Sequence, residues 1–247
     1  MFKTVNALVL REVRYKEADR ILTLLTDTDG KITVKARGAL RKSSKTAAAT
    51  QQLTYSEMTL FGNLGRWTVN EAVVKEGFDG LRADIGSFAL GCYFAECVDV
   101  LSVEDQPDAP LMQLALNCLY ALSRGMYAPE HIKAAFELRL MCLAGYTPEL
   151  SHCTVCGNEE PGDPVLMLER GCVCCRRCAA GAGQTVKLDA ASLNAMRHIC
   201  SVSPKQILSF SLEGEGAKRL SAAAEEYLLL HTERRFPTLD YWKNVKI

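Results

Sequence analysis

Two Cys-x-x-Cys pairs, Cys153-Thr-Val-Cys156 and Cys175-Arg-Arg-Cys178, are separated by eighteen residues. Two residues between cysteines let the chain turn back so that both sulfurs face one point. A second pair on a returning hairpin completes a tetrahedron around one zinc ion. Gly157 follows the first pair, where a tight knuckle needs positive φ. Gly162-Asp-Pro164 and Arg170-Gly171 supply turns, and Val165–Leu168 reads as a short strand between the pairs. The ligands expected are Cys153, Cys156, Cys175 and Cys178. Cys172 and Cys174 crowd the second pair, and Cys172/Cys175 is an alternative Cys-x-x-Cys. Ala179, small like Gly157, favours Cys175/Cys178. Four thiolates leave no open position, so the expected zinc is structural, one ion per chain.

Eleven cysteines without a secretion-signal pattern suit a reducing, cytoplasmic compartment. Cys92, Cys97, Cys118, Cys142 and Cys200 lie singly in helical patterns and read as small core residues. No apolar run approaches the eighteen or so residues of a membrane span, so no membrane partner is expected.

The net charge of zero hides an asymmetry. Residues 1–80 hold thirteen Lys/Arg and nine Asp/Glu; the remainder holds sixteen and twenty. Between Gly30 and Ser56 there is no acidic residue, while Lys31, Lys35, Arg37, Arg41, Lys42 and Lys45 fall in that span. Lys31, Lys35 and Arg37 alternate with Ile32, Val34 and Ala36, so the three cations share one face over about 20 Å of strand. Arg41, Lys42 and Lys45 continue onto a following loop read as mobile. Such a strip can follow a phosphate backbone. Tyr15, Tyr55, Phe61 and Trp67 are nearby rings, with Tyr15 the expected stacking platform between Arg14 and Lys16.

Strands are expected over 5–13, 20–26, 31–37, 53–61 and 67–74, with a hairpin loop at Gly62–Gly65. Three strands, a longer connection and two more match a five-stranded barrel of the oligonucleotide-binding (OB) type. After Gly77 the apolar period becomes helical, with helices expected over 81–103, 111–122, 129–144, 190–199 and 217–233. The fold class is therefore α+β. An OB barrel over 1–80 precedes a helical domain over 81–247, which carries the zinc hairpin at about 150–183. His131, His152, His198 and His231 are scattered, and no phosphate-binding loop or nucleophile elbow appears, so no enzyme is expected.

Two blocks resemble the RecO family of bacterial DNA repair and recombination proteins. One runs Ala7-Leu-Val-Leu-Arg11, Tyr15-Lys-Glu-Ala-Asp-Arg-Ile-Leu-Thr-Leu-Leu-Thr26, Gly30-Lys31 and Ala36 to Ser43. The other runs Phe136-Glu-Leu-Arg-Leu140, Gly145-Tyr-Thr-Pro148 and Cys153 to Gly157. The resemblance covers the full length in order. It implies binding of single- and double-stranded DNA and annealing of complementary strands. It also implies action with RecR to load RecA onto DNA coated by single-strand-binding protein, in a cytoplasmic, nucleoid-associated setting. Carried onto this chain, it makes the basic strip the DNA face, joined by Arg11 and Arg20. It further implies that the helical domain binds the acidic tail of the coating protein. Lys133 and Arg139 beside Phe136 and Leu140, on the helix 129–144, are the candidate surface. The competing readings are a zinc-containing OB-fold RNA-binding or translation-associated factor, and a thiol oxidoreductase.

Overall fold

A computed structural model describes residues 1–63 and 65–245. Leu64, within the expected hairpin loop, lies outside the described residues. The chain divides into two compact units, residues 1–124 with 236 onward, and residues 125–235.

In the first unit five strands close a barrel: β1 (Phe2–Tyr15), β2 (Asp19–Thr26), β3 (Gly30–Ala36), β4 (Tyr55–Asn63) and β5 (Arg66–Glu76). Neighbours run β1-β2-β3-β5-β4, with β1 closing against β4. β3 and β5 pair in parallel, through Val34–Trp67 and Lys35–Thr68, while the other barrel neighbours pair antiparallel. This is the five-stranded barrel that the strand spacing implies. Alternation puts Val5, Ala7, Val9, Leu22, Leu24, Ile32, Val34, Met58 and Leu60 inside. Leu8 and Leu10 are also buried, on the other face of β1. That strand is apolar on both faces because α2 packs on its outside.

The segment 38–54 forms successive turns and no helix. It is fastened rather than loose. Gly38, at φ +64°, donates its N–H to Asp19 Oδ1 at 2.8 Å, and Leu40 N–H donates to Ala18 O. Leu53 N–H donates to Val9 O, and Ala39, Ala49, Thr50 and Leu53 are buried. The expected mobile loop is therefore a tied one.

The same unit contains α1 (Asp79–Ala83), α2 (Ile85–Leu101), α3 (Ala109–Ser123) and α7 (Pro237–Val245). Asp84 and Asp108 cap α2 and α3 by accepting from Ser87 and Leu111 N–H. α7 was not expected from sequence. It returns to α2, where Phe236 sits edge-on to Tyr93 at 5.7 Å.

In the second unit α4 (Pro129–Leu143), α5 (Ala190–Ser201) and α6 (Gly214–Thr232) pack on one another. Asp189 and Ser192 form a capping box at the start of α5. A small antiparallel sheet, β6 (Pro164–Met167), β7 (Cys172–Cys175) and β8 (Thr185–Lys187), has β6 at its centre. In place of the expected single bundle, the helices divide, with α1, α2, α3 and α7 in the first unit and α4, α5 and α6 in the second.

Candidate nucleic-acid groove and metal centre

A cleft of about 810 Å³ opens on the barrel. Its wall is the parallel β3–β5 pair, with the ends of β1 and β4 contributing Tyr15 and Phe61. The cations lining it are Lys35, Arg37 and Arg66. Tyr15 and Phe61 present exposed ring surface, at 44% and 39%. Phe61 rests on Phe2, with centroids 5.0 Å apart. Trp67 is half-buried against the barrel core, and Lys3 Nζ stands 3.8 Å from its ring centroid. An electropositive groove with aromatic surface is the arrangement that holds a single strand by its phosphates and bases without reading sequence.

Lys35 anchors this wall. Its Nζ is 2.8 Å from Asp19 Oδ2 and 4.9 Å from the Tyr15 ring centroid. The Lys35 hydrogen bond, with the Gly38 N–H, holds the Asp19 carboxyl below its ordinary range. Lys35 therefore orients Tyr15 and is itself half-buried, while Arg37 and Arg66 are exposed. Gly62 lets Trp67 lie close. A Cβ there would fall 2.4 Å from the indole Cζ3. Gly62→Ala is expected to displace the indole and destabilise the protein by about 1–3 kcal/mol, measured by urea unfolding with Trp fluorescence.

The remaining strip residues separate. Alternation along β3 is as expected, with Ile32, Val34 and Ala36 inward. Lys31, however, donates to Asp99 O at 2.6 Å and lies 3.4 Å from Asp99 Oδ1, so α2 engages it at the other end of the strand. Arg20 is buried. It pairs with Glu12 at 3.3 Å and donates to Ala47 O and Thr50 Oγ1, fastening the turn segment to the barrel. Little of its side chain is exposed, and its guanidinium is engaged within the barrel unit. Arg11, Arg41, Lys42 and Lys45 are exposed. Arg66 escaped the sequence reading because it lies outside the acid-free span; its signal was a cation directly after a hairpin glycine, Gly65.

The Sγ atoms of Cys153, Cys156, Cys175 and Cys178 all lie within 4.8 Å of one another. Cys156 and Cys175 are 3.8 Å apart, matching the edge of a tetrahedron with metal–sulfur bonds of about 2.3 Å. Both pairs form knuckles. Gly157, at φ +73°, donates its N–H to Cys153 O at 2.8 Å, and Ala179 N–H donates to Cys175 O at 3.1 Å. Burial opposes ionisation of Cys153, but backbone N–H groups of Cys156, Cys175 and Val155 outweigh it and hold the thiol down at about 5. Cys178 is pushed up to about 12, first by its hydrogen bond with Cys156 and then by burial. Backbone N–H groups aimed at the Cys153 sulfur favour its thiolate, the form that binds a cation. Cys172 and Cys174 pair across the sheet with Met167 and Val165. Thr154 Oγ1 lies 3.3 Å from each of their sulfurs, and both cysteines pack in one buried cluster with Cys153 and Cys175, outside the set of four converging sulfurs.

The expected partner surface on α4 is largely interior. Lys133, Phe136 and Leu140 are at most 1% exposed. Lys133 Nζ lies 2.8 Å from Glu137 and 2.8 Å from Glu225. Arg139 donates to Ile199 O and Cys200 O at the end of α5. A peptide arriving from outside cannot reach the first three. The apolar stripe on α4 is the packing face against α5 and α6, and its lysine is neutralised from within the unit.

Comparison with known proteins fits this geometry. The sequence-family model described as Recombination protein O N terminal matches residues 1–78, and that described as Recombination protein O C terminal matches residues 82–240. The DNA repair protein RecO of Acetivibrio thermocellus is 30% identical over 240 residues, covering 97% of this chain and 96% of that protein. The DNA repair protein RecO of Symbiobacterium thermophilum is 30% identical over 240 residues, with 96% and 95% covered. That of Heliobacterium modesticaldum is 33% identical over 236 residues, with 92% and 84% covered. With its OB barrel, its helices and its four converging cysteines, the chain belongs to the RecO family of DNA repair proteins.

Proposed function

We propose that this protein is a recombination mediator that binds single- and double-stranded DNA and anneals complementary strands without covalent chemistry. Acting with RecR, it would help load RecA onto strands coated by single-strand-binding protein, at the nucleoid. The observation that carries the reading is the barrel groove, where Lys35, Arg37 and Arg66 surround the rings of Tyr15 and Phe61. Arg11, Arg41, Lys42 and Lys45 extend the positive surface. Annealing needs cations that screen the repulsion between two strands, and rings that let bases stack while they exchange partners.

The metal proposed is one structural zinc held by Cys153, Cys156, Cys175 and Cys178. Four sulfur ligands at tetrahedral spacing favour it, and its role is to fix the hairpin. The acidic tail of the coating protein would bind elsewhere than on the interior face of α4.

The test is annealing of complementary fluorescent strands, each coated by single-strand-binding protein. The parent is expected to speed annealing. Arg37→Glu/Arg66→Glu is expected to fold normally and lose most of that acceleration, since both side chains are exposed. Unchanged annealing by a folded variant would remove the groove from the mechanism.

A further inference from the structure

Outside the groove and the metal centre, two cysteines far apart in sequence meet. Cys142 is the penultimate residue of α4 and Cys200 the penultimate residue of α5. Their sulfurs are 3.6 Å apart, joined by a thiol–thiol hydrogen bond. Both are half-buried. Arg139, one helical turn before Cys142, donates to Ile199 O at 3.3 Å and to Cys200 O at 2.9 Å. It thus fixes the end of α5 over the end of α4 and sets its cation beside the two sulfurs.

We propose that Cys142 and Cys200 form a reversible disulfide, with a small hydroperoxide as the oxidant. Both cysteines lie in the last turn of their helices, held face to face, so a small approach turns a 3.6 Å contact into a bond of about 2.05 Å. Half-burial admits a small peroxide and disfavours a bulky oxidant.

The reactivity of the pair is asymmetric. The hydrogen bond with Cys200 holds the Cys142 thiol down at about 7, against the opposing effect of burial and with help from Thr147 and the Arg139 cation. Cys200 is pushed upward by the same hydrogen bond and by burial. Cys142 is therefore the attacking sulfur. Elsewhere, burial pushes Cys92 up to about 11 against the opposing Arg82 cation, and pushes Cys118 higher still.

The chemistry balances in two steps. The Cys142 thiolate attacks a peroxide oxygen. A sulfur–oxygen bond forms, the oxygen–oxygen bond breaks, and the alcohol or water leaves with a proton, giving a sulfenic acid at Cys142. The Cys200 sulfur then attacks the Cys142 sulfur. The sulfur–sulfur bond forms, the sulfur–oxygen bond breaks, and water departs carrying the Cys200 proton. Two thiols supply two electrons to one peroxide. A dithiol reductant reverses the bond by exchange. The cross-link would span 58 positions and enclose the whole cysteine hairpin, so it would staple α4 to α5 around the metal-bearing segment. This inference is independent of DNA binding.

The test treats the full-length, zinc-loaded protein with hydrogen peroxide, blocks remaining thiols by alkylation, and maps digested peptides by mass spectrometry while zinc content is followed. The expected result is a Cys142–Cys200 cross-linked peptide that dithiothreitol removes, with zinc retained and the thermal midpoint raised until reduction. In Cys200→Ser, Cys142 is expected to accumulate as a sulfenic acid trapped by dimedone, with no rise in midpoint. Two results would overturn the proposal. One is oxidation confined to the hairpin cysteines with zinc released. The other is a Cys142 that alkylates no faster than Cys92 and yields no cross-link in the folded parent.

Discussion

A Lys133→Met variant is expected to lose about 3–5 kcal/mol of folding stability, because it removes the cation from a buried ion cluster. Lys133 is 1% exposed and lies 2.8 Å from both Glu137 and Glu225. Burial favours its neutral form, but the two carboxylates outweigh burial and hold its pKa above the ordinary lysine value. A raised pKa stabilises the folded state at pH values below that of the unfolded lysine, about 10.4, and the contribution fades as pH rises through the folded value. The loss should therefore appear in full at neutral pH. Methionine fills much the same volume, so the deficit comes from loss of the cation that balances the carboxylate of Glu137, itself 0% exposed. Lys133→Met/Glu137→Leu is expected to regain much of it, since an apolar replacement of a buried pair is often neutral. Urea unfolding followed by circular dichroism gives both numbers. A single variant within about 1 kcal/mol of the parent would show that water reaches the cluster.

Removal of the metal is the second large effect. Cys153→Ser is expected to abolish zinc retention and to unfold the sheet β6–β7–β8, leaving α4, α5 and α6 packed. Structural zinc contributes on the order of 10 kcal/mol in isolated fingers. Here the helices keep their own core, with Phe136, Leu138, Ile199, Leu220 and Leu228 buried. Elemental analysis should find one zinc in the parent and none in the variant. Hydrogen exchange should accelerate across residues 150–187 and stay slow in α4 and α6. Cys174→Ser should keep its zinc, because Cys153, Cys156, Cys175 and Cys178 already supply four converging sulfurs and Cys174 is not among them. Zinc loss from Cys174→Ser with retention in Cys178→Ser would reassign the ligands.

The parts legible in the sequence are those set by local pattern. Period-2 alternation in β3 placed Ile32, Val34 and Ala36 inward. The Cys-x-x-Cys spacing specified the four sulfurs that converge. Less legible was anything that depends on which elements meet. Lys31 and Lys35 occupy equivalent pleat positions, yet α2 brings Asp99 to one and the start of β2 brings Asp19 to the other. Arg20 looked like one more cation until the turn segment closed over it. Lys133 carried the same ambiguity, since its partner Glu225 is 92 positions away. Cys142 and Cys200 read as separate core residues because only the packing of α4 on α5 joins them. Arg66 gains its meaning from the parallel β3–β5 pairing, which no local window contains.

The central claim is that the barrel groove carries single-stranded DNA by its phosphates. The most direct measurement is the salt dependence of affinity for a labelled oligonucleotide, comparing the parent with Arg37→Glu/Arg66→Glu. Log affinity should fall with log salt by roughly 0.7 per phosphate contact, and the double reversal should flatten that slope by roughly 1.4. The loss should be similar for all base sequences, because phosphate contacts carry no sequence information. A folded double variant with the parent's slope and the parent's affinity at low salt would contradict the account.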